Sequence, residues 1–245
     1  MVPELVAHRG YAARYPENTL AALAAAIDVG ARHVEVDVQL SADGHAVLFH
    51  DRTLTRLCGV PGAVHERTLQ ELAALGCGER ARFGERFASE PILTLPGFAE
   101  LLARHPRVHA FVEVKRAALA RFGAQPVLER VLADLDGLAG RFALISFDLP
   151  FLLAARRSCA VPLGAVFDRW EERERPAVAE IAPEFLFVDL DGLPTAGSIA
   201  HPGTRVAVYE VADPALAREL GARGADFVET FEIGAMLAAL GTPAP

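Results

Sequence analysis

From residue 4 onward, short apolar segments rich in β-branched residues alternate with stretches whose apolar positions recur at helical spacing, and Gly, Pro or Asp bounds each pair. Such alternation predicts βαβ units and a parallel sheet. In the first unit Leu5 to Ala7 reads as a buried strand, Leu20, Leu23, Ala24 and Ile27 mark one helical face, and Gly30 stands where the helix would end. Seven more strands are predicted at residues 33–38, 109–114, 142–147, 163–167, 185–189, 205–209 and 226–229. Between the last two, Asp213-Pro214 has the cap-then-proline form of a helix start, and Gly221 suits its end. Eight strands in this rhythm over 245 residues predict an α/β chain forming one (β/α)8 TIM barrel domain across residues 1–245.

One interval breaks the rhythm. About 57 residues separate His50 from the next barrel strand, where a βα loop usually has about 2–6. A hairpin-like turn, Ser41-Ala42-Asp43-Gly44, leads into the apolar run 46–49, and helical patterns follow around 68–75 and 97–103. Residues 52–107 therefore read as a small insertion on the barrel, with no second core. Its run 79–86 mixes both signs of charge and reads as solvated surface. The tail 241–245 is expected to fray.

Composition narrows the partners. A net charge of -8 argues against nucleic acid and against steering to an anionic membrane. Apolar runs are cut short by Asp28 and Asp148, so no membrane insertion is expected. Cys58, Cys77 and Cys159 lack the close spacing of a zinc or redox motif and are expected to be reduced thiols. The first residues show no basic segment, apolar core or small-residue cleavage site, and with the cysteines this points to the cytoplasm.

The strand periodicity also sorts the chemistry. In His33-Val34-Glu35-Val36-Asp37-Val38, Glu35 and Asp37 share one face and the valines the other; in Phe111-Val112-Glu113-Val114-Lys115, Glu113 and Lys115 share a face. A barrel strand covered outside by helices can keep such a polar face only inside, near the mouth. Three carboxylates there repel one another unless a cation sits among them, and all-oxygen ligation points to Mg²⁺ or Ca²⁺. His8 and His50 each follow an apolar strand and are followed by Arg9 and Asp51. Two histidines beside such a cluster suit proton transfer to and from a phosphodiester, Asp51 could orient a ring, and Arg9 and Lys115 could bind phosphate oxygens. His45, His65, His105, His109 and His201 read as surface or packing residues, and His33 is undiagnostic.

His8-Arg9-Gly10, Pro16-Glu17-Asn18-Thr19, Glu35-Val36-Asp37, Leu48-Phe49-His50-Asp51, Pro91-Ile92-Leu93-Thr94-Leu95 and Glu113-Val114-Lys115 resemble, in order and spacing, the glycerophosphodiester phosphodiesterase family. The resemblance covers nearly the whole chain. It implies a (β/α) barrel with a small insertion after the second histidine motif, and hydrolysis of a small-molecule glycerophosphodiester to glycerol 3-phosphate and an alcohol. It also implies His8 and His50 as the acid-base pair, Glu35, Asp37 and Glu113 as ligands of a divalent ion, and Arg9 and Lys115 as phosphate contacts. Glu17 and Asn18 are expected to hold the first loop. Related barrels act on lysophospholipids or phosphoinositides and would expose an apolar patch, for which Leu57, Val60, Phe83 and Phe87 are the candidates. A barrel that only binds an anionic metabolite is the remaining alternative. The chain departs from the family pattern near its end: Tyr209-Glu210-Val211-Ala212 replaces a Trp-Thr-x-Asn type segment, and Glu229-Thr230-Phe231-Glu232 replaces Thr-Asp-x-Pro. Tyr209 could still stack on glycerol.

Overall fold

A computed structural model describes residues 2–241; the part of the expected frayed tail beyond Gly241 lies outside them. Eight parallel strands close a barrel: β1 (Glu4–His8), β2 (His33–Leu40), β4 (His109–Val114), β5 (Phe142–Ser146), β6 (Leu163–Phe167), β7 (Phe185–Asp189), β8 (Arg205–Tyr209) and β9 (Phe227–Thr230). Closure comes from β1, which pairs with β9 on one side and β2 on the other. The short β3 (Ala46–Leu48) lies antiparallel on β2 as the second arm of the hairpin.

Alternation along β2 and β4 sends their valines out and their acids in. Val34, Val36 and Val38 join the outer core beneath the helices. Inside, Val6, Phe111, Ile145, Val166, Phe187 and Phe227 form a separate apolar plug, with Phe111 stacked edge-on against Phe187 at 4.9 Å and Phe227 at 5.5 Å. Each such ring contributes about 1.5–3 kcal/mol of burial, before side-chain ordering is counted. This plug is the floor on which the polar residues at the strand ends stand.

Local details correct the expectations. The first helix, Leu20–Asp28, buries Ala22, Leu23 and Ala26 while Leu20 is 42% exposed, so the buried face is set by small residues that allow close approach. Gly10 is the counterpart: its φ is +81°, and a Cβ there would fall 2.7 Å from the Ala22 carbonyl carbon. The helix Pro214–Arg223 runs past the buried Gly221 and ends at Gly224, which has the left-handed φ of +113° that glycine tolerates. The helix Leu95–Arg104 places Leu95, Phe98, Leu101 and Leu102 in the main core, so it is a barrel helix and does not belong to the insertion. The residues before it carry an apolar cluster of their own, including Phe49, Leu54, Leu57, Val64, Leu72 and Ile92.

Cys58 and Cys77 are joined in a disulfide within that cluster, and Cys159 is free. The expected reduced pair is thereby overturned, and with it one of the two grounds for a cytoplasmic location. A spacing of 19 residues does not reveal pairing; the fold of the intervening turns does. A loop of this size stabilises by on the order of 3 kcal/mol. Reduction, or replacement of both cysteines by serine, is expected to lower the melting temperature by roughly 6–12 °C at about 2–4 °C per kcal/mol. An unchanged melting temperature on reduction would show that the thiols are not paired.

Among the described residues, no helix is long and apolar enough to cross a membrane. Leu57 is buried, and Phe83 and Phe87 pack edge-on at 5.4 Å beneath the guanidinium groups of Arg82 and Arg86.

Candidate active site

His8 is the last residue of β1, and its strand register sets it beside Glu35 on β2; the same register sets Asp37 beside Glu113 on β4. Neighbouring strands thus deliver the predicted groups to one end of the barrel. Glu35, Asp37 and Glu113 are all buried, and ligand oxygens of the three lie within 4.8 Å of one another. Lys115 Nζ is 2.7 Å from Glu113 Oε1 and 3.0 Å from Asp37 Oδ1. Arg9 Nε is 3.2 Å from Asp37 Oδ2. Its backbone N–H donates to Glu35 Oε2 at 3.2 Å.

The loop after β1 exists to hold this arrangement. Arg9 and Asn18 both have positive φ, +56° and +58°, a conformation that costs about 1–2 kcal/mol for a non-glycine residue. Asn18 offsets it by clamping Asp37 twice: its Nδ2 donates to Asp37 Oδ2 at 2.8 Å, and its Oδ1 accepts from the Asp37 N–H at 3.1 Å. Glu17 accepts from Arg9 and Arg56, while its N–H donates to Glu79 Oε1 at 2.8 Å. Glu79 is 1% exposed and also pairs with Arg82. The charged run 79–86 is therefore not wholly solvated: its first residue is a buried strut of the mouth.

His50 reaches the site differently from His8, because it follows the hairpin strand β3 and not a barrel strand. Buried Gln39, inward on β2, holds the turn: its Nε2 donates to the carbonyls of Phe49 at 2.9 Å and Asp51 at 2.7 Å. His50 Nδ1 lies 3.0 Å from Asp51 Oδ1, and Arg56 grips that carboxylate through Nε and a terminal nitrogen, both at 2.7 Å.

A cavity of about 90 Å³ opens among these groups, lined by His8, Arg9, Glu35, His50, Glu113 and Lys115 on one side. Phe147, Tyr209, Glu210 and Glu229 line the other. Tyr209 Oη donates to the Phe167 carbonyl at 2.7 Å, which leaves its ring as the face toward the cavity. Every predicted site residue lines this space except Asp37, which sits beneath it as the fully buried hub of Arg9, Asn18 and Lys115.

The family model for the glycerophosphoryl diester phosphodiesterase family matches residues 8–230. The chain belongs to this family. A glycerophosphodiester phosphodiesterase of Caldanaerobacter subterraneus is 45% identical over 98 residues, 40% of this chain and 40% of that protein; the chain thus aligns with well under two thirds of this curated relative. Whole-chain likeness comes from structures. A phosphodiesterase of Oleispira antarctica, solved with the product sn-glycerol-3-phosphate, superposes with a TM-score of 0.83 at 25% identity and 98% coverage of each chain. A protein of Silicibacter pomeroyi described as a putative glycerophosphoryl diester phosphodiesterase gives 0.85 at 25% identity, covering 98% of this chain and 93% of that one.

Electrostatics distinguish these acids from one another. Burial, reinforced by the charges of Asp37, Glu229 and Glu113, pushes the Glu35 carboxyl well above the usual range. Burial also raises Glu113, Lys115 opposing it only in part. For Asp37 burial acts upward too, but Lys115 and Arg9 outweigh it and hold the carboxyl below the ordinary value. Burial and then Arg9 lower the His8 imidazole against the pull of Glu210. Glu35 Oε1 is buried with no hydrogen-bond partner. An orphaned oxygen within a raised acid cluster is what a hard divalent ion would relieve, so Glu35, Asp37 and Glu113 fit such a ligand set.

Sequence reasoning also missed Glu229 and Arg56. Glu229 is 3% exposed, has an unpartnered Oε1 and lines the cavity; burial and the Glu113 charge raise its carboxyl well above the usual range. Its parity with Phe227 on β9, two residues before it, was the available signal. Arg56 was the other, and nothing local in the sequence ties it to Asp51 and Glu17.

Proposed function

We propose that this chain hydrolyses glycerophosphodiesters to glycerol 3-phosphate and an alcohol with the help of a divalent cation. The single observation that carries the reading is the convergence of two imidazoles, two cations and the carboxylates of Glu35 and Glu113 on one small cavity at the barrel mouth, with Asp37 grouped beneath them. Arg9 and Lys115 bring positive charge to the phosphate oxygens, one as a fork and one as a point charge. His8 and His50 serve as the acid-base pair, one promoting attack on phosphorus and the other protonating the departing alkoxide. Asp51 and Arg56 hold the His50 ring. Mg²⁺ or Ca²⁺ held by Glu35, Asp37 and Glu113 supplies Lewis-acid neutralisation of the phosphate charge. Tyr209 and Phe147 offer ring faces to the glycerol or alcohol carbons. The product seen in the Oleispira antarctica relative is the one this reading assigns here.

The test is release of glycerol 3-phosphate from glycerophosphocholine, glycerophosphoethanolamine and glycerophosphoglycerol, each with and without chelator, beside a lysophospholipid. Release from the water-soluble diesters that chelation abolishes is expected. Turnover of the lysophospholipid alone would replace the reading with a lipid phosphodiesterase, and no release from any substrate would remove it.

A further inference from the structure

The two places where the chain departs from the family pattern come together around His8. Glu210, just beyond β8, puts Oε1 3.1 Å from His8 Nδ1. The contact lies out of line for a hydrogen bond, so Nδ1 is buried without a hydrogen-bond partner, and the Glu210 side chain is 39% exposed. Phe231, just beyond β9, lies flat on the His8 ring with centroids 4.7 Å apart and planes 9° from parallel. The Arg9 guanidinium carbon sits 5.5 Å from the centroid of the same Phe231 ring. On its remaining side His8 presents Nε2 to the cluster, 3.6 Å from Glu35 Oε2.

We propose that Glu210 and Phe231 are positioning residues for His8: the carboxylate holds the Nδ1 edge, the phenyl ring fixes the plane, and Nε2 is left as the nitrogen that meets the substrate. A carboxylate can only accept, so the tautomer it selects carries its proton on Nδ1. The arrangement repeats at the second histidine, where Asp51 Oδ1 stands 3.0 Å from His50 Nδ1. For His50 the carboxylate is the next residue along the chain; for His8 it arrives from the opposite end of the barrel sequence. In this reading both Glu210 and Phe231 act through the imidazole.

This inference rests on the hydrolase reading above, and its test separates the two. Imidazole ¹⁵N spectra of the metal-loaded protein, assigned with His8→Gln, should show His8 with protonated Nδ1 and unprotonated Nε2. In Glu210→Ala the pattern should move toward a mixture of tautomers, kcat should fall roughly 10-fold, and KM should stay within about 2-fold. Glu210→Gln, whose amide oxygen still accepts, should recover most of kcat. Phe231→Leu should lower kcat less and leave the tautomer in place. Divalent-ion affinity measured by calorimetry should match wild type in each variant, which shows that the acid cluster is intact. An unchanged His8 spectrum in Glu210→Ala, or equal losses in the alanine and glutamine variants, would overturn the proposal. Were the wild type inactive on every glycerophosphodiester, the hydrolase reading would fail while the spectra still judged the positioning.

Discussion

Replacing either His8 or His50 with alanine is expected to lower kcat on a glycerophosphodiester by about 10²–10⁴-fold, the usual worth of one positioned acid or base. The loss should fall on kcat more than on KM, because the proposed phosphate contacts, Arg9, Lys115 and an ion held by the acid cluster, stay in place. The two variants should differ in one respect. His8 is 6% exposed and packed against Phe231, so its truncation opens space in the wall and lowers stability as well. His50 is more open, with a side chain 33% exposed, and its loss should leave the melting temperature nearly unchanged. The double variant should be scarcely worse than the poorer single one if both act in the same step, since residues working as a unit are not additive. Activity within a few-fold of wild type in either single variant would end that residue's assignment to proton transfer.

The sequence alone carries such a prediction because strand periodicity is short-range. Glu35 and Asp37 lie two residues apart, Glu113 and Lys115 likewise, and a period of two is enough to put each pair on one face. That this face is interior follows from the parallel barrel, whose valines on the alternate positions are covered by helices. The same logic, applied to β9, would have found Glu229, but an acid after Phe227 and Val228 reads as a solvated strand end until the barrel is seen to close over it. Contacts between distant segments left no local trace. Glu79 supports Glu17, Arg56 binds Asp51 and Glu17 together, and Cys58 meets Cys77; each depends on how the insertion folds back on the mouth. The helix Leu95–Arg104 falls within the long interval that reads as an insertion, although its apolar face belongs to the barrel core. Glu210 was legible as a departure from the family pattern, and only geometry ties that departure to His8.

Adding Mg²⁺ or Ca²⁺ to chelated protein is expected to raise its melting temperature, and to raise it more at pH 8 than at pH 5.5. The sign follows from the cluster. Burial and mutual repulsion hold the Glu35 and Glu113 carboxyls above the usual value, which is about 4.3 in an unfolded chain. Above that pH the ion-free folded state binds more protons than the unfolded chain, so its stability falls as pH rises toward the folded-state values of these two groups. Asp37 has the opposite sign: held down by Lys115 and Arg9 against its burial, it contributes stability that is fully present above its unfolded value and is lost only in strong acid. It therefore adds no slope near neutrality. Binding of a divalent ion selects the ionised cluster, releases the protons held there and removes the repulsion. At a concentration 100 times the dissociation constant the gain is about 2.7 kcal/mol, or roughly 5–10 °C for a chain of this length. Calorimetry in two buffers of different ionisation enthalpy should show proton release on binding, falling in Glu35→Gln because that site no longer carries a proton to lose. A thermal shift independent of pH, with no proton released, would mean that the three carboxylates are already ionised without the ion and that Lys115 and Arg9 suffice to hold them.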